Sequence, residues 1–445
     1  MHAPGLRREL GPFSATLLVV GGIIGSGIFF TPAETARALP EGPLLLGVWA
    51  LGGLVALAGA LTYAELGAML PDAGGAYVYL RRAFGSLPAF LYGWMILLSI
   101  GTGALAAVSL GFAGYLERFM DIAPLGGRPG VAAGTIVLLC VTNFLGVKPG
   151  AFVQNVFAVA KIVALAALIV LGLVMWNSIG SPAPVLAAPP PRDSLVAGFA
   201  AAFVAVLFTI GGWQSMNMVA GEIRDPARTI PRALIIGILI VIAIYLGANA
   251  VYLHVLGRDG LAASTAVAAD TAERLLGPHG GTFITVAAML SILGFINLTI
   301  LTQPRIFFAM ARDGVFLRSA ARVHPRFGSP AVSIAILGAW AIALLLITRG
   351  EMGALLSGVV FADWIFFGLG AAAVFRLRRT MPDAPRPYRV LGYPLVPAFF
   401  VAAAVVGISS ALLASPGTSM IGVAQLLAGW GAHELFQRRS RQEQS

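Results

Sequence analysis

The sequence is nearly free of cysteine: Cys140 is its only one. It lies inside an apolar run, so no internal disulfide framework forms and no extramembrane thiol is left for a covalent partner. Charge is scarce as well, at 11% of 445 residues, against 58% hydrophobic residues and a mean hydropathy of +0.88. One soluble core would use far less apolar material than this, which points to a polytopic all-α membrane protein in a lipid bilayer. The five histidines, His2, His254, His279, His324 and His433, are scattered at segment ends. They suggest no metal cluster and no catalytic triad, and hence neither a cofactor nor an enzyme. A net charge of +10 implies nucleic acid only where a basic patch covers a soluble surface. Here the arginines sit in short loops between apolar stretches, the signature of membrane topology.

Runs long enough for a hydrocarbon core of about 30 Å, which takes about 20 helical residues, fall at 13–39, 43–70, 84–115, 131–147 and 149–176. After a proline-rich connector at 177–193, more fall at 194–222, 231–256, 282–310, 330–348 and 352–375, then at 394–414 and 418–437. Twelve membrane helices are expected. The first run follows Arg7 and Arg8 but is long, interrupted and followed at once by others, so it reads as a retained helix rather than a secretory signal. Lys and Arg crowd one set of alternate loops, including Arg7, Arg8, Arg81, Arg82, Lys148, Arg224, Arg312, Arg378 and Arg386, and are sparse in the other. The positive-inside rule therefore puts both termini, 1–12 and 438–445, in the cytoplasm. The segment from Gly257 to Gly281 is too polar to span and reads as an extracellular cap with short helices, or as a plain linker.

The first run contains "VVGGIIGSGIFF", with Gly21, Gly22, Gly25 and Gly27 close together. A glycine costs about 1 kcal/mol in a helix interior, and an unpaired backbone group in lipid costs several kcal/mol, so such a cluster persists only where protein or a water-filled cavity receives the freed groups. The sixth run repeats the feature with Gly211 and Gly212 in "LFTIGGWQSMN". Each begins a five-helix set, 13–176 and 194–375, and because five is odd the sets run in opposite directions. Paired interrupted helices in matching halves mark a central transport site, where half-helix N-termini attract an anion and unwound carbonyls a cation. An amino acid carries both charges on one carbon. The N–H groups at Ser26, Gly27 and Ile28 are expected to hold its carboxylate, with the carbonyls of Phe208, Thr209 and Gly211 facing its ammonium. The alternative is that these glycines only allow close helix packing, the role expected of Gly103, Ala107 and Gly111 in the third helix.

Five further motifs accompany the "GGIIGSGIF" and "LFTIGGWQSMN" breaks, in order "YAELGAMLPDAGGAYVYLRRAFG", "VQNVFAVAKIVAL", "GEIRDPARTIPRA", "PRIFFAMARDGVF" and "RPYRVLGYPLVP". Together they resemble the amino acid, polyamine and organocation transporter superfamily, and within it the L-type amino acid transporters and their bacterial relatives, over residues 10 to 395. The resemblance implies the LeuT-type fold, two inverted five-helix repeats plus two C-terminal helices at 376–437 with helices one and six broken. It also implies sodium-independent transport or exchange of L-amino acids in a plasma (bacterial inner) membrane. By similarity, Ile23, Gly25, Ser26 and Gly27 belong to the substrate-binding loop, Phe208 to an aromatic gate, and Gly212, Trp213 and Gln214 to the start of the second half of helix six. Animal members pair with a glycoprotein through a cysteine between helices three and four; residues 116–130 contain none, so no disulfide-linked heavy subunit is expected.

Two charges fall at mid-membrane. Lys161 lies about 20 Å along a helix from Lys148, where a charge costs at least about 2.5 kcal/mol unless the protein interior receives it. In the family such a lysine resembles a built-in substitute for sodium, touching the broken helix one and polar groups on helix eight; Ser291 is the candidate there, while Phe295 takes another place where relatives can have serine. Lys161 is thus expected to hold the break near Gly22 and couple it to gating, the alternative being a charge that merely stabilises the bundle. Asp363, midway along helix ten, either pairs with Lys161 or has a separate hydrogen-bonded role, the second being preferred. Glu65, Glu222 and Arg305 lie toward cytoplasmic helix ends and are expected to reach water, with a gate network as the alternative. The reading is exchange of neutral L-amino acids by alternating access. Proton symport, cationic amino acid or polyamine transport, and a non-transporting sensor remain open.

Overall fold

The computed structural model describes residues 5–179, 194–349, 359–414 and 416–442. The connector beyond Ile179 and the start of the tenth apolar run, 352–358, lie outside these. Among the described residues every regular element is helical, with one isolated parallel bridge between Leu10 and Ile223. The first run forms two helices, α1 (Pro12–Ile23) and α2 (Gly27–Ala38), followed by α3 (Gly42–Met69), a short α4 (Ala76–Phe84) and α5 (Ser86–Leu116). Then come α6 (Gly127–Phe144), α7 (Val147–Val174), α8 (Leu195–Thr209), a single turn α9 (Ser215–Met218) and α10 (Pro226–Ala263). The chain continues with α11 (Val267–Leu276), α12 (Pro278–Thr302), α13 (Pro304–Arg312), α14 (Ala331–Ile347), α15 (Val359–Thr380), α16 (Leu395–Ala414) and α17 (Pro416–Gln442). Proline stands in the first turn of α1, α3, α10 and α12, where its missing N–H has no intrahelical role.

Seven segments among the described residues are long and apolar enough to cross a bilayer: Pro12–Ala38, Gly42–Met69, Ser86–Leu116, Val147–Val174, Pro226–Ala263, Pro278–Arg312 and Leu395–Leu413. Leu195–Thr209 and Ala331–Ile347 are apolar but shorter. The chain is an integral membrane protein. Between Gly257 and Gly281, α10 kinks at Gly257 (φ 69°) and α11 follows, the short helices expected of this segment.

Packing is organised around α10, which contacts α1, α2 and α3, and around α12, which contacts α5, α6 and α7. The two interrupted helices meet head to tail: α2 packs on α8, and α1 on α9. Their approach explains two glycines. A β-carbon on Gly22 would lie 2.6 Å from the Gly212 carbonyl oxygen, and Gly212 itself adopts φ +104°, a region glycine enters at no steric cost. Of the third-helix stripe, Gly103 and Ala107 are buried, Ala107 also lines a cavity, and only Gly111 departs from the packing expectation, since a β-carbon there would meet nothing within 4 Å. That helix also contains a π-turn at Ile96–Ile100, closed by Thr102 Oγ1 donating to the Leu97 carbonyl at 2.6 Å, a local widening frequent at functional sites.

Three charges expected in water are buried. Arg305 forks onto Glu222, Nε to Oε2 at 2.7 Å and a terminal nitrogen to Oε1 at 2.9 Å, with both side chains 0% exposed. Glu65 accepts from Arg378 at 2.9 and 2.6 Å and from the Val390 N–H at 2.7 Å. Helix-end position alone misled here, because the partners stand far away in sequence and cover the carboxylates. At the same end, Leu10 and Glu9 donate backbone N–H groups to the Glu222 carbonyl, each at 2.9 Å. The Tyr77 hydroxyl donates to Asp313 Oδ2 at 2.8 Å; burial, then the Asp313 carboxylate, raise the Tyr77 pKa, so it remains a donor.

Substituting Gly22→Ala should cost about 1–3 kcal/mol through overpacking against a backbone oxygen. Gly111→Ala should leave the thermal transition of the detergent-purified protein unchanged. Equal transitions for the two variants would contradict the close approach.

Candidate functional site

The first break arises because α1 stops at Ile23: Ile24 turns to ψ 86°, and the Gly25 N–H folds back onto the Ile23 carbonyl at 2.8 Å. Four carbonyls, those of Gly21, Ile23, Ile24 and Gly25, are thereby turned to side chains of other helices. Lys161 on α7 is 0% exposed and donates Nζ to Gly21 at 2.9 Å and to Ile24. Ser291 on α12 donates its hydroxyl to Ile24 and Gly25, both at 3.2 Å. The Tyr245 hydroxyl on α10 donates to Ile23 at 2.9 Å. Three helices thus supply the donors that lipid cannot. A buried amide network, Asn143 Nδ2 to Asn297 Oδ1 at 2.9 Å and Asn297 Nδ2 to Gln154 Oε1 at 3.0 Å, ties α6, α12 and α7 together behind Lys161 and Ser291.

The second break follows Thr209, where Ile210 leaves the helix and Gly212 reverses the chain. The Gly212 N–H donates to Gln214 Oε1 at 3.0 Å, so this side chain caps the break instead of pointing freely at a ligand. The Thr209 and Thr31 hydroxyls share a buried hydrogen bond of 2.6 Å, joining α8 to α2.

Between the breaks lies a cavity of about 300 Å³. Of the residues expected at the site, Ile23, Gly25, Ser26, Gly27, Phe208, Thr209, Gly211, Gly212, Gln214 and Asp363 line it. Ile28, Lys161 and Ser291 are not among its lining: Ile28 is the buried second residue of α2, and the other two stand behind the break. Lys161 and Asp363 make no ion pair or hydrogen bond with each other; the lysine spends its donors on carbonyls. The far wall is apolar, with Ile96, Ile100, Ala104, Ala107 and Val108 of α5, joined by Phe295, Trp364 and Phe367. Phe295 thus faces the cavity at the second place considered for a lysine partner. Trp213 is buried and packs edge-on against Tyr63 and Phe400.

The chemistry available follows from the chain ends. The opening N–H groups of α2, at Ser26, Gly27 and Ile28, have no intrahelical acceptor, and the helix dipole adds partial positive charge there, which an anion can use. Gly25 and Gly211 leave room: a β-carbon on either would meet only backbone oxygens beyond 3.5 Å. Phe208, in the cavity lining, is 56% exposed.

Sequence reasoning missed Tyr245, the Thr31–Thr209 bond and the capping role of Gln214. A tyrosine in an apolar helix carries no motif; its role appears only when α10 is packed on α1.

A family model described as amino acid permease matches residues 10–428. The chain is 34% identical over 435 residues to the serine/threonine exchanger SteT of Bacillus subtilis (strain 168), covering 96% of this chain and 97% of that protein. It is 33% identical over 435 residues to the large neutral amino acids transporter small subunit 2 of Homo sapiens, covering 95% and 79%. With the human b(0,+)-type amino acid transporter 1 the identity is 34% over 394 residues, covering 86% and 79%.

Tyr245→Phe removes the side-chain donor of the Ile23 carbonyl, leaving it the Gly25 N–H, and should destabilise the protein by about 0.5–1.5 kcal/mol. Thermal unfolding of the variant in detergent checks this; an unshifted transition would remove Tyr245 from the account.

Proposed function

The chain belongs to the amino acid permease family, and from that premise we propose that it is a sodium-independent exchanger of neutral L-amino acids working by alternating access. What carries this reading is the pair of interrupted helices meeting across one cavity, with the α2 N-terminus on one side and the end of α8 on the other. The substrate carboxylate lies on the N–H groups of Ser26, Gly27 and Ile28, and its ammonium faces the carbonyls of Phe208, Thr209 and Gly211. The apolar α5 wall favours neutral side chains. Phe208 covers the substrate as a gate. Lys161 occupies the carbonyls of Gly21 and Ile24, where a coupling cation would otherwise sit, which supports sodium independence and gives Lys161, with Ser291, the task of linking the break to gating.

In this reading the fold is the LeuT-type arrangement of twelve spans: inverted repeats at 13–176 and 194–375 and two further helices at 376–437. The head-to-tail contacts of α1 with α9 and of α2 with α8 support the inversion. The moving bundle is α1 and α2, α3, α8 and α9, and α10, joined by contacts of α10 with α1, α2 and α3, of α8 with α2 and α3, and of α9 with α1. The arginine-rich loops place both termini in the cytoplasm of a cell whose plasma membrane, a bacterial inner membrane, holds the protein. With Cys140 in α6 as its only cysteine, the chain works without a disulfide-linked subunit.

Counterflow in sodium-free proteoliposomes tests this. Labelled alanine or threonine should accumulate when unlabelled amino acid is trapped inside, and Lys161→Ala should abolish accumulation while the protein stays folded. Binding without flux would instead favour a sensor, and full exchange by the Lys161 variant would refute its coupling role.

A further inference from the structure

The cavity contains one side chain that the transport scheme leaves unused. Asp363, on α15, lines it together with Trp364 and Phe367 of the same helix, yet no hydrogen bond or ion pair reaches its carboxylate from any described residue. Three donors of the surrounding helices are committed elsewhere, while Tyr92 shares the cavity lining with Asp363. Tyr63 donates its hydroxyl to the Phe367 carbonyl at 3.3 Å. Lys161 is spent on Gly21 and Ile24, and Arg378, one end of the same helix away, is held by Glu65. An unsatisfied carboxyl at membrane depth is costly, and such groups persist where a ligand or water completes them. The rest of the pocket explains how the main-chain poles of a substrate are held; its lining is otherwise largely apolar, with Tyr92, Thr299 and Gln303 as further polar side chains and Asp363 as the acid.

We propose that Asp363 is the side-chain selector of the cavity: it accepts a hydrogen bond from an O–H or N–H carried by the substrate side chain, so that donor-bearing amino acids are preferred over isosteres that lack the donor. The inference rests on the cavity being the substrate site. A site built around a polar partner rejects the analogue that leaves it unpaired far more strongly than an apolar pocket rejects a change of one methyl group. Threonine and valine have nearly the same shape and differ in that one group. A hydroxyl, as in serine or threonine, and an ammonium, as in lysine, supply the same chemistry to a carboxylate.

Competition against labelled alanine in counterflow reads the selector directly, with threonine against valine, serine against 2-aminobutyrate, and lysine against norleucine. The wild-type protein should prefer the donor-bearing member of at least one pair by about tenfold or more. The pair with the widest gap identifies hydroxyl or ammonium as the source. Asp363→Leu should bring that ratio to one or below, and Asp363→Asn, which keeps an acceptor oxygen, should bring it to an intermediate value. For a variant that carries no flux, the same ratios are read from the stabilisation each amino acid gives to its thermal transition. A wild-type protein indifferent within all three pairs, or an Asp363→Leu variant with the wild-type ratio, would overturn the selector. Absence of alanine counterflow in the wild-type protein would instead strike the transport reading itself.

Discussion

Four carbonyl oxygens at the interruption of the first helix must find donors at a depth where water is excluded. Lys161, Ser291 and Tyr245 supply them, from α7, α12 and α10. Leaving one such group unpaired in hydrocarbon costs several kcal/mol, so the interruption exists only while these three helices surround it. The arrangement also decides what is left over. With the carbonyls of the first break answered by protein, the N–H groups at the start of α2 stay available to an anion.

Buried charge imposes a second constraint. Glu222 and Arg305 form a fully buried bidentate pair, and Glu65 gathers Arg378 and the Val390 N–H. Removing one partner of a buried pair costs about 3–5 kcal/mol, because the other is left uncompensated. These contacts tie α3 to α15 and the segment after α9 to α13.

Much of the site was legible in the sequence because glycine is expensive in a lipid-facing helix. Gly21, Gly22, Gly25 and Gly27, matched by Gly211 and Gly212, have few inexpensive explanations, and both packing and interruption prove to operate. Gly22 and Gly212 let the two backbones touch, while Gly25 and Gly211 face open space. Lys161 was legible for the same reason, as a charge where lipid forbids one. The stripe of Gly103, Ala107 and Gly111 was legible only in part, since small residues suit a cavity wall as well as a helix seam. Glu65 and Glu222 read as solvated because their arginines come from distant helices. Gln214 was legible as part of the break but not as its cap, since that bond depends on the turn at Gly212.

The central claim is that exposed main-chain ends hold both poles of a zwitterion. Counterflow of labelled alanine in competition with alanine methyl ester and N-acetylalanine tests it most directly, each derivative lacking one pole. The account predicts that either modification weakens competition by about 10- to 100-fold, the worth of one charged hydrogen-bond set at about 1.5–3 kcal/mol. Competition by either derivative equal to that of unlabelled alanine would contradict it.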